Sequence, residues 1–374
     1  TTLYHLIFIV KIKIIMKVCI IGDGLTSLTL AKTLVNQGIY VDIFSDSKNQ
    51  NKNQNKNRTI GVSKSNIDFF NKNILNINKL LWNINKIEIY SQSLNNKKIL
   101  NFEKNDEQLF AIIKNYELLR NLESALRESK FSNFKKKKFN YELLGRNYKL
   151  VFNCDTNSPI FKKYFYKKIE KDYKSYAHTT IINHKKFLNN NIAFQIFTDN
   201  GPIAFLPISK LQTSVVYSSK EKKTIDLKKY IRMYNKNYTI TKINKSINFR
   251  LKSSNLRIYR YKNILAFGDS LHKLHPLAGQ GFNMTIRDIN EILRLIRSKV
   301  KLGLDLDESI FLDFEKNIKH KNYIFSNGVD FVYEFFNLES KMKAKFFSQT
   351  VKVLGKNKFF NKFFTNFADR GILN

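Results

Sequence analysis

Between Gly268 and Asn283 the chain sets an acid, Asp269, directly after an apolar run, Ile264 to Phe267. Pro276, Gly279 and Gly281 then precede a helical pattern running to about Lys299. The order of residue types has a chemical sense. A carboxylate at the carboxyl end of a buried strand accepts hydrogen bonds from a polyol. A Pro/Gly turn lets backbone pass close to a flat ring, and a helix start presents free N–H groups with a partial positive charge. Gly268, Asp269, Pro276, Gly279, Gln280, Gly281 and Asn283 are therefore candidates for holding a polar cofactor. His272 and His275 lie in the same run. Neither has the partners of a nucleophilic triad, and each alone reads as a hydrogen-bonded structural histidine. No group of His, Cys, Asp and Glu has metal-ligand spacing, so no metal site is expected.

A second signal stands near the start of the chain. Lys17 to Ile21 is a short apolar strand and Gly22-Asp23-Gly24-Leu25-Thr26-Ser27 a tight turn. Leu25, Leu28, Ala31, Leu34 and Val35 then recur at helical spacing up to a cap at Gly38, before a second strand from Tyr40 to Phe44. This is a β-α-β unit with a dinucleotide-binding turn. Its first glycine permits the turn, the second admits a pyrophosphate, and the third position, here Ser27, allows close helix packing. The acid that binds ribose hydroxyls in such units comes about 20 residues on; Ser45 stands there, with Asp46 beside it.

The elements between these signals are uneven. Lys48 to Asn57 is a polar repeat expected as a loop, and 59–100 is mixed. Leu109 to Leu126 reads as a strand into a helix, and Tyr148 to Cys154 as a strand ending at Asp155. From about 175 to 218 short strands follow one another (Ala193–Phe197, Ile203–Ile208, Ser214–Tyr217), with a turn at Asp199-Asn200-Gly201. The expected fold class is α/β with an α+β insertion: a Rossmann-like domain, an inserted antiparallel sheet and a helical, aromatic tail over about 305–374.

Composition bounds the partners. With 374 residues and 43% hydrophobic content the chain can bury a large core in about two domains. Two cysteines far apart, Cys19 and Cys154, argue against a disulfide framework. The net charge of +35 is spread along the whole chain in a Lys, Asn, Ile and Phe background that A/T-rich codons produce. It reads first as compositional bias, next as attraction to an anionic membrane surface, and last as nucleic-acid binding, for which no recognition motif is present. Residues 1–15 are too short an apolar stretch to span a bilayer, and with Met16 just before the first strand they are expected to be an upstream extension.

The run GDSLHKLHPLAGQGFN, with IRD following, resembles the signature of the FAD-dependent aromatic hydroxylases related to para-hydroxybenzoate hydroxylase. Within them it is most similar to the ubiquinone-biosynthesis hydroxylases. Arg58 in NRTIGVS, Asn115 with Leu118, Asp172-Tyr173, and Phe197 with the stretch Gly201 to Pro207 extend the likeness. Departures are Ser27 for the third glycine, Ser45 for the usual glutamate, Asp155-Thr156-Asn157-Ser158 for the family's Asp-Gly motif, and Thr285 for a glycine.

The resemblance implies an enzyme that reduces FAD with NAD(P)H and adds dioxygen. By way of a flavin hydroperoxide it hydroxylates a polyprenylated phenol in ubiquinone biosynthesis. It implies FAD held by Gly22, Gly24 and Arg58 at the pyrophosphate, with Ser27 in the same turn, Ser45 or Asp46 at the adenosine ribose, and Asp269 at the ribityl chain. Asn115 and Asp155 join the cofactor set, and the ring-facing loop is Pro276, Gly279, Gln280 and Gly281. Phe205, Pro207 and His275 would face the substrate, and no side-chain nucleophile is needed because the flavin carries the chemistry. The implied FAD-binding domain is 16–58, 101–165 and 245–300; the substrate domain is 59–100 and 166–244; the helical region is 301–374. The location implied is the cytoplasm, with peripheral contact to the inner membrane, where the substrate lies. An assembly of ubiquinone-biosynthesis enzymes is a further expected partner. A reductase or halogenase of the same fold, and a non-catalytic scaffold, remain alternatives.

Overall fold

The computed structural model describes residues 16–45, 57–103, 108–136, 147–220, 224–275 and 280–342. Asp46, Pro276, Gly279, the extension 1–15, most of the polar repeat and the tail 343–374 lie outside the described residues.

In chain order the elements are β1 (Lys17–Ile21), α1 (Leu25–Val35), β2 (Tyr40–Ser45), β3 (Thr59–Ser63), α2 (Lys64–Asn73), β4 (Trp82–Ile84), β5 (Lys86–Ser91), β6 (Lys97–Glu103), β7 (Phe110–Lys114) and α3 (Asn115–Arg127). There follow β8 (Ser132–Lys136), β9 (Leu150–Asn153), α4 (Pro159–Tyr164), β10 (Lys168–His184), β11 (Ile192–Thr198), β12 (Gly201–Pro207), β13 (Gln212–Ser219) and α5 (Leu227–Tyr234). The last are β14 (Ile240–Ile243), β15 (Ile247–Leu256), β16 (Arg260–Tyr261), β17 (Ile264–Ala266), β18 (His272–Lys273), α6 (Gln280–Lys301) and α7 (Ser309–Met342).

The first sheet has the order β16-β17-β9-β1-β2-β8. β17, β9, β1, β2 and β8 run parallel, and β16 returns antiparallel at one edge. Its central strands β1, β9 and β17 are largely apolar runs because both faces are covered. Leu28, Leu30, Ala31, Leu34 and Val35 of α1, Leu118, Leu122 and Leu126 of α3, and Ile286, Ile289, Ile292 and Ile296 of α6 are buried in one core with Ile20, Val41 and Val151. Phe152 meets Phe267 and Phe311 edge-on at 5.7 and 5.0 Å. Asp42 is the buried acid of β2, with Lys17 Nζ at 2.8 Å and Lys135 Nζ at 2.9 Å, and it accepts from Tyr148 Oη. Burial alone would raise its carboxyl, but these hydrogen bonds outweigh it and hold the group below the usual carboxylate range.

The second sheet has nine strands in the order β18-β15-β10-β13-β12-β11-β5-β6, with β14 also on β10. It is antiparallel except for the β5–β11 pair. The expected hairpin forms, with Thr198 opposite Gly201. One face is covered by α5, whose Leu227, Ile231 and Tyr234 pack on Phe194, Phe205 and Tyr217. The other face turns to a three-stranded sheet, β3-β7-β4, through Ile84, Ile112, Ile181 and Leu206. The mixed stretch 59–100 divides: β5 and β6 extend the large sheet, while Val62, Ile67 and Phe70 join the core of the parallel sheet.

Candidate functional site

Two chain segments about 245 residues apart meet at the carboxyl edge of the parallel sheet, where doubly wound folds bind ligands. The first is the turn between β1 and α1. Gly22 has φ +115°, and a Cβ there would meet Ser27 Oγ at 2.9 Å and Asp155 Cβ at 3.6 Å. Ser27 is buried in the first turns of α1 and shares a hydrogen bond with the Cys154 thiol. The serine thus packs where the third glycine of such turns usually lies. Gly24 caps α1 from an extended conformation, and a Cβ there would face open space.

The second segment follows β17. Gly268 has φ +63°, and a Cβ on it would run into Thr26 of α1: Cγ2 first, with Oγ1 at 2.9 Å and Cβ at 3.1 Å. This approach brings Asp269, exposed on a short 3-10 turn, beside the N-terminus of α1. The charges of Asp155 and Asp269 both act on the Cys154 thiol, so the ends of β9 and β17 converge there. The loop after β18 then leads into α6. Gln280 opens that helix and is buried, and a Cβ on Gly281 would meet nothing within 4 Å.

Asn283, buried one turn into α6, spends its amide on the protein. Its Oδ1 accepts from Ser63 N at 2.9 Å and Asn66 Nδ2 at 3.0 Å, and its Nδ2 donates to Gly61 O at 2.9 Å. β3 is tied onward to the large sheet, where Thr59 Oγ1 donates to Ser214 Oγ at 2.9 Å. The start of α6 is thus linked through β3 to the sheet that would hold a substrate.

Other expected residues fall as follows. Ser45 is half-buried at the end of β2. Arg58 is exposed, its guanidinium 5.6 Å from the centroid of Phe249, and its carbonyl accepts from Asn115 N at the start of α3. Asp155 Oδ1 accepts from Asn157 N at 2.8 Å, and Ser158 caps α4 by accepting from Phe161 N at 3.1 Å. The altered Asp-Gly segment is therefore an ordered, capped turn. Phe205 is fully buried on the α5 face, stacked on Phe194 at 4.5 Å. Pro207 shares that face by strand alternation. Ala204, Leu206 and Val216 lie on the opposite face, toward β3-β7-β4.

His275 is fully buried between the rings of Tyr173, 4.7 Å away and edge-on, and Tyr333 of α7 at 4.2 Å. Burial, with a smaller effect of Lys171, lowers its pKa to about 3, so the ring is neutral. His272 is buried against Asp288 of α6. Sequence pattern alone assigns no role to Asp288, Tyr173 or Tyr333. Their visible signals are the Arg287-Asp288 pair at the end of the motif and the Asp172-Tyr173 pair of the family likeness, and neither names a role.

These residues fit an anionic dinucleotide carrying a polyol. α1 and α6 both contact the turn that carries Asp269, and Gly24 and Gly281 leave room for close approach. The buried Ser270 Oγ and Gln280 Oε1 find no hydrogen-bond partner in the described protein, which leaves polar atoms for a ligand to satisfy. Among the described residues no cluster could hold a metal ion, and no described helix is long and apolar enough to cross a membrane.

The fold is shared with solved flavin-dependent enzymes. The p-nitrophenol 4-monooxygenase PnpA of Pseudomonas putida DLL-E4 superposes with a TM-score of 0.72 over 96% of this chain and 99% of its own, at 11% identity. HpxO of Klebsiella pneumoniae, solved with FAD and uric acid, gives 0.70 over 96% and 98%, at 11% identity. CmlS, a flavin-dependent halogenase, shares the fold at 0.66 over 95% of this chain and 71% of its own, at 13% identity. Fold alone therefore does not select the reaction.

Among curated proteins the chain is similar to the mitochondrial ubiquinone biosynthesis monooxygenase COQ6. It is 22% identical to that of Schizosaccharomyces pombe over 217 residues, 45% of this chain and 44% of that protein. To the human protein it is 26% identical over 160 residues, 31% of this chain and 34% of that protein. The matched stretch spans less than half the length of each relative. No protein-family model matches the chain. The expected fold class and the resemblance to ubiquinone-biosynthesis hydroxylases are borne out.

Proposed function

We propose that this protein is an FAD-dependent monooxygenase that hydroxylates the aromatic ring of a polyprenylated phenol in ubiquinone biosynthesis, using NAD(P)H and dioxygen. The observation that carries the reading is the convergence of the Gly22 turn and the Gly268–Ser270 turn across the Gly268–Thr26 contact, which joins two distant parts of the chain in one place. The similarity to COQ6 supplies the substrate class.

In this reading the turn at Gly22 and Gly24 receives the pyrophosphate on the N-terminus of α1, and Arg58 adds a positive charge. Ser45 or Asp46 takes the adenosine ribose, and Asp269 the ribityl hydroxyls. Gly279, Gln280 and Gly281, after Pro276, face the ring, where the N-terminus of α6 favours negative charge on the reduced cofactor. Asn115, Asp155 and Asn283 shape the cradle from behind. Bound FAD supplies the redox and oxygen-activating chemistry. The chain's own work is to position the phenol and keep water out. The substrate wall is the sheet face carrying Ala204, Leu206 and Val216, supported from behind by Phe205 and Pro207, with neutral His275 at its edge.

The division 16–58, 101–165 and 245–300 for FAD, and 59–100 and 166–244 for substrate, is kept in outline only: Val62, Ile67 and Phe70 pack in the parallel-sheet core, and β15 belongs to the large sheet. Because the phenol is lipid-embedded, the enzyme would work at the inner-membrane surface, within an assembly of related enzymes, with no nucleic-acid partner.

The test is product analysis. FAD-loaded protein, NAD(P)H, oxygen and a short-chain prenyl phenol in detergent should yield a product heavier by one oxygen atom. Bound FAD with NAD(P)H consumption but a reduced or halogenated product would assign another chemistry. Bound FAD with no NAD(P)H oxidation would leave the non-catalytic scaffold, a reading that the altered Asp155–Ser158 segment favours.

A further inference from the structure

Asp288 lies in the third turn of α6 with no exposed surface, and three elements meet on it. Its Oδ2 accepts from Nε2 of His272, which is also buried and stands in β18. Its Oδ1 accepts from Asn322 Nδ2 of α7 at 3.1 Å. A carboxylate removed from water at such depth is costly unless its lone pairs are matched, and here both oxygens are. Removing one partner would leave a buried acceptor unsatisfied, so the three groups hold one another in a single arrangement.

The placement of the array gives it a consequence beyond stability. His272 is three residues past Asp269 and three before His275. Asp288 is about two helical turns past Gln280. The pair therefore ties together the two ends of the segment that carries the ring-facing residues. Leu274 and Met284 pack beside it on Phe325 and Val329 of α7, so the same three elements are also fixed by apolar contact. Neither His272 nor Asp288 reaches the open side of Gly24 or Gly281.

We propose that His272, Asp288 and Asn322 form a buried positioning array that sets the N-terminus of α6 against Asp269, and so fixes the geometry with which FAD is held. The inference rests on the flavin reading above. His272, Asp288 and Asn322 are positioning residues, not groups that touch the reacting atoms. Asp288→Asn keeps the shape of the side chain but turns one acceptor into a donor facing Nε2–H or the Asn322 amide, which breaks the array without opening a cavity.

The experiment is an FAD titration followed by quenching of flavin fluorescence, with the visible spectrum of the bound form, on the parent, Asp288→Asn, His272→Gln and Asn322→Ala. The unfolding midpoint of each is measured in parallel without added FAD. The parent binds FAD if the flavin reading holds; if it does not, that reading fails and the array is not implicated. Given binding by the parent, Asp288→Asn is expected to weaken FAD at least tenfold and to broaden the bound-flavin spectrum, at a temperature where the variant is folded. His272→Gln still offers an N–H to Asp288 and is expected to stay within about threefold of the parent. Asn322→Ala, which keeps the His272–Asp288 pair, should fall between. If Asp288→Asn does not fold, Asn322→Ala alone decides: a weaker, broadened flavin supports the array. Folded variants with lowered midpoints but the parent's FAD affinity and spectrum would overturn the proposal, because the array would then serve stability alone.

Discussion

Gly268→Ala probes the joint on which the cradle depends. Alanine at φ +63° costs about 1–2 kcal/mol for the left-handed conformation. Its Cβ would also enter the space of Thr26, and overpacking of this kind costs about 1–3 kcal/mol. The sum is about 2–5 kcal/mol, large for one methyl group. All three nearest atoms belong to the Thr26 side chain, so the two contributions can be separated. Thr26→Ala removes Cγ2 and Oγ1 and leaves only the Cβ at 3.1 Å. The double variant should recover the packing part and keep the conformational part. A double-mutant cycle should then show a coupling energy of about 1–2 kcal/mol. The assay is urea unfolding of the parent, both single variants and the double variant, read as shifts in midpoint at constant slope. A coupling indistinguishable from zero would refute the reasoning, because it would mean that residues 26 and 268 do not touch.

Three further outcomes are expected. His275 has a pKa of about 3 in the fold and about 6.5 in the unfolded chain, so between these values the unfolded state holds the extra proton and stability falls as pH falls. At pH 5 this contributes a loss of about 2 kcal/mol relative to pH 7.5; His275→Gln should lose that much less, and an equal loss in both proteins would contradict the burial of a neutral ring. Asp269 is exposed, so Asp269→Ala should leave the unfolding midpoint within about 0.5 kcal/mol of the parent while weakening FAD at least tenfold; unchanged affinity would remove Asp269 from the cofactor site. Phe205→Ala should destabilise by about 3–5 kcal/mol, since the ring is fully buried on Phe194 under α5, and a loss within about 1 kcal/mol would argue against that packing.

The β-α-β unit and the Gly268 segment are legible in the sequence because their signals are local. A strand, a glycine turn and a helical repeat lie within a few residues of one another at β1 and α1. The stretch 59–100 is not, for physical reasons. β5 (KIEIYS) is half-buried along most of its length, β6 opens on two lysines, and α2 (KSNIDFFNKN) carries several asparagines, so no single period stands out. The side a residue faces in a strand is equally hidden. Phe205 and Leu206 are both apolar, yet only the second lies toward β4 and β7, because α5 supplies a second buried face. Asn283 reads in sequence as a cofactor ligand, and its partners at Gly61, Ser63 and Asn66 lie about 220 residues away, where no spacing rule reaches. The His272–Asp288–Asn322 array is hidden differently: its partners are 16 and 34 residues apart, but they stand on a strand and two helices that no single period links.

The cradle proposed above, joined across the Gly268–Thr26 contact, is a binding site for FAD. Its most direct test is the visible absorption spectrum of the purified protein after incubation with FAD and removal of free cofactor. A stoichiometric bound-flavin spectrum, lost in Asp269→Ala, is the predicted result. A folded protein that stays colourless would contradict the claim.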